Sequence, residues 1–133
     1  MPVYFEDAVE FSAQDLADLE KIYADAPDWL LPPYADAATL IQQGIQQQNL
    51  VVARFNSRLL GAALLNKHAK VWTLSHLCVR ALTRRRGVAR RLVDEAKRLA
   101  QEAQATLQIA IPSAQTEMIQ LAQSKSLKVI NTD

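Results

Sequence analysis

The stretch Arg84-Arg85-Arg86-Gly87-Val88-Ala89 constrains this chain more than any other. It follows an apolar run, Leu74 to Val79, and opens a segment with apolar residues at Val88, Leu92, Val93, Ala96, Leu99 and Ala100. The first run reads as a strand and the second as the inward face of a helix. A helix start exposes unpaired N–H groups and a partial positive charge. A glycine at that point lets a phosphate approach the backbone, and the combination forms an anion site. Three neighbouring arginines raise the local potential and can fork onto phosphate oxygens. The ligand expected from these residues is phosphorylated.

Spacing narrows the ligand. A Walker loop needs a Gly-Lys-Ser/Thr ending, and a dinucleotide fingerprint needs three clustered glycines. The chain has only Gly44, Gly61 and Gly87 and carries neither pattern. Arg84-x-x-Gly87-x-Ala89 instead resembles the Arg/Gln-x-x-Gly-x-Gly/Ala signature of the Gcn5-related N-acetyltransferase (GNAT) superfamily. That resemblance implies a loop cradling the pyrophosphate of acetyl-CoA. It also implies an α/β fold with a single mixed β-sheet flanked by about four helices and a short C-terminus.

Length and charge agree with this. A chain of 133 residues, 50% of them apolar, can bury one core, so residues 1–133 are expected to form a single domain. Fifteen basic residues against fourteen acidic ones leave +1, too little for a general attraction to nucleic acid. The arginine cluster could still be a solvated face or a weak nucleic-acid patch, but no aromatic residue is interleaved with it to stack bases. Cys78 is the single cysteine, which rules out an intrachain disulfide and fits a reducing compartment. No apolar run approaches spanning length, and Met1-Pro2-Val3-Tyr4 does not read as a signal peptide. A cytoplasmic protein without a membrane partner is expected. No His, Cys or acidic set has metal-ligand spacing.

The rest of the chain reads as alternating elements. Val3, Phe5 and Val9 suggest a first strand, and Ser12 with Asp15 suggests the cap of a helix from Ala13 to about Ala24. Ala26-Pro27-Asp28 ends that helix, and Pro32-Pro33 keeps the next stretch irregular. Asp36 can cap a second helix to about Gln47. Leu50–Phe55 and Leu59–Asn66 read as strands joined by a turn at Asn56-Ser57-Arg58. Val71–Val79 is the next strand. A helix follows to about Gln104, then a strand at Thr106–Ile111, a helix capped by Ser113, and a brief last strand at Leu127–Ile130. The order β-α-α-β-β-β-α-β-α-β is an α/β layout around one mixed sheet.

Further residues sharpen the resemblance. Ala53-Arg54-Phe55-Asn56-Ser57-Arg58-Leu59-Leu60, Leu77-Cys78-Val79-Arg80, Thr83 to Val88 and the opening Phe11 to Ile22 are similar to the PanZ (PanM) family within that superfamily. The resemblance fades over Pro27–Gln48, where this chain is longer, and at the C-terminus. It implies an acetyl-CoA sensor that binds the zymogen of aspartate α-decarboxylase and promotes or regulates its maturation for pantothenate synthesis. By the same resemblance, Leu77, Cys78 and Val79 would meet the acetyl-pantetheine arm. Thr83, Arg84, Arg85, Arg86, Gly87, Val88, Ala89 and Arg90 would hold the pyrophosphate. Arg54 and Asn56 would contact the decarboxylase, although both also suit an ordinary exposed hairpin.

Catalysis is the open question. Amine acetylation needs a base for the amine, an oxyanion site and a proton for the leaving thiolate. Many GNAT enzymes supply that proton from a late tyrosine, and this chain has no aromatic residue after Trp72. Tyr34 is the remaining candidate acid and His76 the candidate base. Each also reads as a structural residue, Tyr34 as a loop aromatic and His76 as a hydrogen-bonded core histidine. His68 reads as a turn residue, Cys78 as a small buried side chain, and Glu6, Asp7 and Glu10 as surface acids. Two functions stand: a regulatory acetyl-CoA-binding module, and an N-acetyltransferase acting on a primary amine of a small molecule or protein.

Overall fold

A computed structural model describes residues 3–7, 10–81 and 87–132. The arginines of the motif, 84–86, and Thr83 lie outside the described residues, as does Val9. The elements run β1 (Tyr4–Glu6), α1 (Ala13–Ala24), a 3-10 turn (Asp28–Leu30), α2 (Ala37–Gln46), β2 (Leu50–Phe55) and β3 (Arg58–His68). They continue with β4 (Val71–Val79), α3 (Val88–Glu102), β5 (Thr106–Ile111), α4 (Thr116–Ser124) and β6 (Lys128–Asn131). The strands form one sheet in sequence order. β1 to β4 pair antiparallel, whereas β4–β5 and β5–β6 pair parallel. Parallel neighbours need a crossover, and α3 and α4 supply the two that are required.

Helices cover both faces of the sheet. α3 and α4 close one face over Leu65, Leu74, Ile109 and Ile111, and α1 and α2 close the other over Leu50, Val52, Leu64 and Cys78. β3 is therefore buried continuously from Leu59 to Leu65, and its sequence shows an unbroken apolar run in place of alternation. Gly61 on that strand has a packing reason. A Cβ there would sit 2.9 Å from Val88 Cγ1 and 3.3 Å from Leu92 Cδ1, so the glycine lets the start of α3 lie close on the sheet.

Local signals account for most boundaries. The Ser12 hydroxyl accepts from the Asp15 N–H at 3.0 Å, and the Ser12 N–H donates back to the Asp15 carboxylate at 3.2 Å, a reciprocal capping box. Asp36 accepts from the Thr39 N–H at 2.8 Å and starts α2. Asn56 and Ser57 both have positive φ, at 48° and 67°, which is the turn that matches the twist of a two-residue hairpin. Ser113 does not cap α4. The chain first turns with the Gln115 N–H donating to the Pro112 carbonyl at 3.0 Å, and the helix begins at Thr116 without a side-chain cap. β1 is shorter than its apolar residues suggest, with Val3 buried just ahead of it.

Candidate acyl-CoA site

The site is built on an irregularity in β4. Cys78 faces Ala62 and Val79 faces Gly61, but Ser75 faces Leu64, so His76 and Leu77 together oppose Ala63. This is a β-bulge, and His76 adopts φ 54° within it. A bulge bends its strand. β5 pairs with β4 only along Val71–Leu74, so Ser75–Val79 has no strand beside it on that side among the described residues. A strand edge left open in this way can pair with the amides of an extended ligand.

Side chains from three elements hold the bulge in place. Buried Tyr23 of α1 donates its hydroxyl to the His76 carbonyl at 2.9 Å. Burial pushes the Tyr23 phenol well above its ordinary value, so it remains a donor. The His76 Nε2 lies 2.9 Å from the Pro32 carbonyl, and its Nδ1 lies 2.9 Å from the Ser75 hydroxyl. A carbonyl can only accept, so Nε2 carries the proton and the neutral ring's Nδ1 accepts from Ser75. Burial lowers the imidazole below its usual value, and the Pro32 carbonyl partly opposes this. The Tyr34 ring packs edge-on to the imidazole with centroids 5.3 Å apart. His76 thus ties the Pro32-Pro33 segment to β4, and both ring nitrogens are engaged.

Beyond its bulge β4 leads to the helix start. The Arg80 N–H donates to the Leu60 carbonyl at 2.9 Å, and the Ala81 N–H donates to Asp25 at the end of α1 at 3.1 Å. α3 then opens at exposed Gly87, with φ 83° and no side-chain cap. A Cβ built on Gly87 meets none of the described residues within 4 Å, so none of them crowds that side of the first turn of α3. Val88 is buried, Ala89 half-buried and Arg90 exposed. The neighbouring Arg91 is already committed, donating to the Val3 carbonyl at 3.1 Å and pairing with Glu95.

A cavity of about 680 Å³ lies where β4 and β5 part. Trp29, Leu30 and Pro32 wall it from the α1/α2 face, Met118 and Gln115 from the α4 face, with His76 and Leu77 between them. Of the expected arm residues, Leu77 lines this cavity. Cys78 turns its thiol away, donating to the Ile22 carbonyl at 3.3 Å within the core, and Val79 is buried. Tyr34 is brought to His76. Trp29, Ser75 and Met118 were not singled out by sequence reasoning, because neither the bulge nor the path of the Pro32-Pro33 segment has a local signature.

The expected partner residues differ from each other. Asn56 stands exposed at the hairpin tip. Arg54 is half-buried and internally bound: its guanidinium bridges Glu6 at 2.8 Å and Asp15 at 3.0 Å, and also donates to the Ser57 carbonyl. Next to it Arg58 forks onto buried Asp18, which also accepts from the Leu59 N–H at 3.1 Å. Arg58 and the Leu59 amide hold the Asp18 carboxyl at about 2. The Arg54–Arg58 hairpin is thereby fastened to α1 and β1. Among the described residues no group of three or more His, Cys, Asp or Glu could hold a metal, and no helix is long and apolar enough to cross a membrane.

A mixed sheet that parts beside a bulged strand, followed by a glycine-led helix, has the fold of the GNAT acetyltransferases. The protein PH1933 of Pyrococcus horikoshii shares it at a TM-score of 0.79 and 13% identity, over 99% of this chain and 92% of that one. So does N-acetylglutamate synthase of Neisseria gonorrhoeae, solved with coenzyme A and N-acetyl-glutamate, at 0.69 and 15%, over 90% of this chain and 28% of that one. Within that class the chain belongs to the PanZ family of acetyltransferase (GNAT) domains, whose model matches residues 2–128. It is 39% identical over 85 residues to the PanD regulatory factor of Salmonella typhimurium, covering 64% of this chain and 58% of that protein. It is 35% identical over 89 residues to the PanD regulatory factor of Escherichia coli, covering 67% and 61%. The chain thus spans about six-tenths of the length of the curated relatives it matches.

Proposed function

We propose that the chain is a cytoplasmic acetyl-CoA sensor that binds aspartate α-decarboxylase (PanD) and regulates its maturation. The observation that carries the reading is the open edge of β4, Ser75–Val79, leading to the uncapped glycine start of α3. In this reading the backbone of Leu77, Cys78 and Val79 receives the pantetheine amides. The start of α3 at Gly87, Val88 and Ala89 receives the pyrophosphate, with Thr83, Arg84, Arg85, Arg86 and Arg90 supplying hydroxyl and positive charge. The PanD half of the reading is supported by the names of the two relatives. Asn56 remains the exposed candidate for partner contact. Arg54 acts there indirectly, by fixing the hairpin that presents Asn56.

N-acetyltransfer to an amine is the second reading, favoured by the fold that the chain shares with transferases. His76 is a poor base for it, since its Nδ1 already accepts from Ser75 and its Nε2 faces Pro32. Titration calorimetry of the chain with PanD, with and without acetyl-CoA, tests the choice. Acetyl-CoA should tighten PanD binding, and PanD should tighten acetyl-CoA by the same factor. PanD affinity indifferent to acetyl-CoA, together with thiol release when an amine is supplied, would favour the transferase.

A further inference from the structure

We infer that the cavity between the parted strands is a subsite for an uncharged acyl chain longer than acetyl. On this inference the protein binds short-chain and medium-chain saturated acyl thioesters of CoA more tightly than acetyl-CoA. The inference rests on the acyl-CoA reading above. A ligand anchored at the start of α3 and lying back along the open edge of β4 reaches the His76 bulge, which forms one wall of the cavity. Its acyl end is therefore delivered into a space of about 680 Å³, of which the arm beside Leu77 fills a part. A space of that order holds a drug-sized molecule, whereas acetyl adds a single methyl beyond the thioester carbonyl.

The chemistry of the walls selects the occupant. No Asp, Glu, Lys or Arg is among the described residues that line it. Asn66, Thr73, Ser75, Gln115 and Thr132 add uncharged polar groups, while Trp29, Leu30 and Pro32 offer apolar surface from one face and Met118 from the other. The titratable side chain present, His76, is held neutral with both nitrogens engaged. An ammonium or a second carboxylate would lose its water there without a counter-charge. A saturated hydrocarbon would not. Trp29 lines the cavity, and at 42% exposure it has apolar surface left for an occupant to cover.

The test is calorimetric titration of the intact chain with CoA, acetyl-CoA, butyryl-CoA, hexanoyl-CoA and succinyl-CoA. Each methylene buried should tighten binding about fourfold, so butyryl-CoA should bind about fifteenfold more tightly than acetyl-CoA. Succinyl-CoA should bind more weakly than butyryl-CoA. Trp29→Ala should remove much of the butyryl and hexanoyl advantage while CoA itself binds as before. Butyryl-CoA no tighter than acetyl-CoA, or an advantage untouched in Trp29→Ala, would overturn the subsite and leave the acyl-CoA reading standing. Absence of binding by CoA and every thioester would overturn the acyl-CoA reading itself.

Discussion

Gly87 offers the sharpest perturbation, because charge and shape can be separated there. Its φ of 83° is left-handed, so alanine at this position costs about 1–2 kcal/mol of stability through backbone strain alone. The described residues add no steric term, since an added Cβ meets none of them within 4 Å. Gly87→Ala should therefore fold, melt at a lower temperature, and lose acetyl-CoA affinity only a few-fold. Gly87→Asp carries the same strain, but its negative charge sits favourably at the start of α3, so its stability should match or exceed that of the alanine variant. Binding should separate the two. A carboxylate about 5 Å from one phosphate charge, at an effective dielectric of about 20, is repelled by about 3 kcal/mol, on the order of a hundredfold in affinity. Gly87→Lys reverses that sign and should bind no worse than alanine. Calorimetry with acetyl-CoA at low and high salt reads these differences, and the aspartate penalty should shrink as salt rises. If Gly87→Asp and Gly87→Ala, both folded, bind acetyl-CoA equally, the pyrophosphate does not sit at the start of α3.

Two further outcomes follow from the packing. Asp18 titrates at about 2 in the fold against 3.8 when free, so its interactions contribute about 2 kcal/mol above pH 4, and this is lost as pH falls toward 2. Asp18→Asn should be destabilised near neutrality and lose that part of the acid limb. Urea unfolding across this range checks it, and equal steepness in both proteins refutes the pairing with Arg58 and Leu59. Gly61→Ala presses a methyl to 2.9 Å from Val88 Cγ1 and should cost about 1–3 kcal/mol. Because Val88 is the first residue of α3, acetyl-CoA binding should weaken as well, and an unchanged melting temperature would refute the close approach.

What could be read from the residues, and what could not, divides along a physical line. Signals that act within a few residues translate directly into structure. Ser12 with Asp15 fixes the start of α1, Asp36 the start of α2, and Asn56-Ser57 the hairpin. The glycine of Arg84-x-x-Gly87-x-Ala89 likewise falls where expected, directly before the first residue of α3. Ser113 shows the limit of that logic. A capping residue after a proline is a reasonable start signal, yet the turn from Pro112 to Gln115 satisfies the backbone first and moves the helix two residues on. The cavity lies wholly beyond local reading. It needs a bulge in β4, the loss of pairing with β5 after Leu74, and the Pro32-Pro33 segment brought against His76 from 44 residues away.

The same contacts change how two sequence candidates act. His76 resembles a catalytic base only while its surroundings are unknown. With Tyr23 on its carbonyl, Ser75 and Pro32 on its ring and Tyr34 at its edge, it is a fastener that keeps β4 bulged and the cavity open. Arg54 resembles a free docking contact until Glu6 and Asp15 are seen to neutralise it from β1 and α1. Both residues are bonded to α1, His76 through Tyr23 and Arg54 through Asp15, and α1 is capped by Asp25, which holds the Ala81 amide after β4. α1 and its cap are therefore in contact with the hairpin, the bulge and the end of β4 at once. Tyr23 and Asp25 hold the bulge and the residue that follows β4 from the same helix whose Asp15 and Asp18 hold the hairpin that presents Asn56.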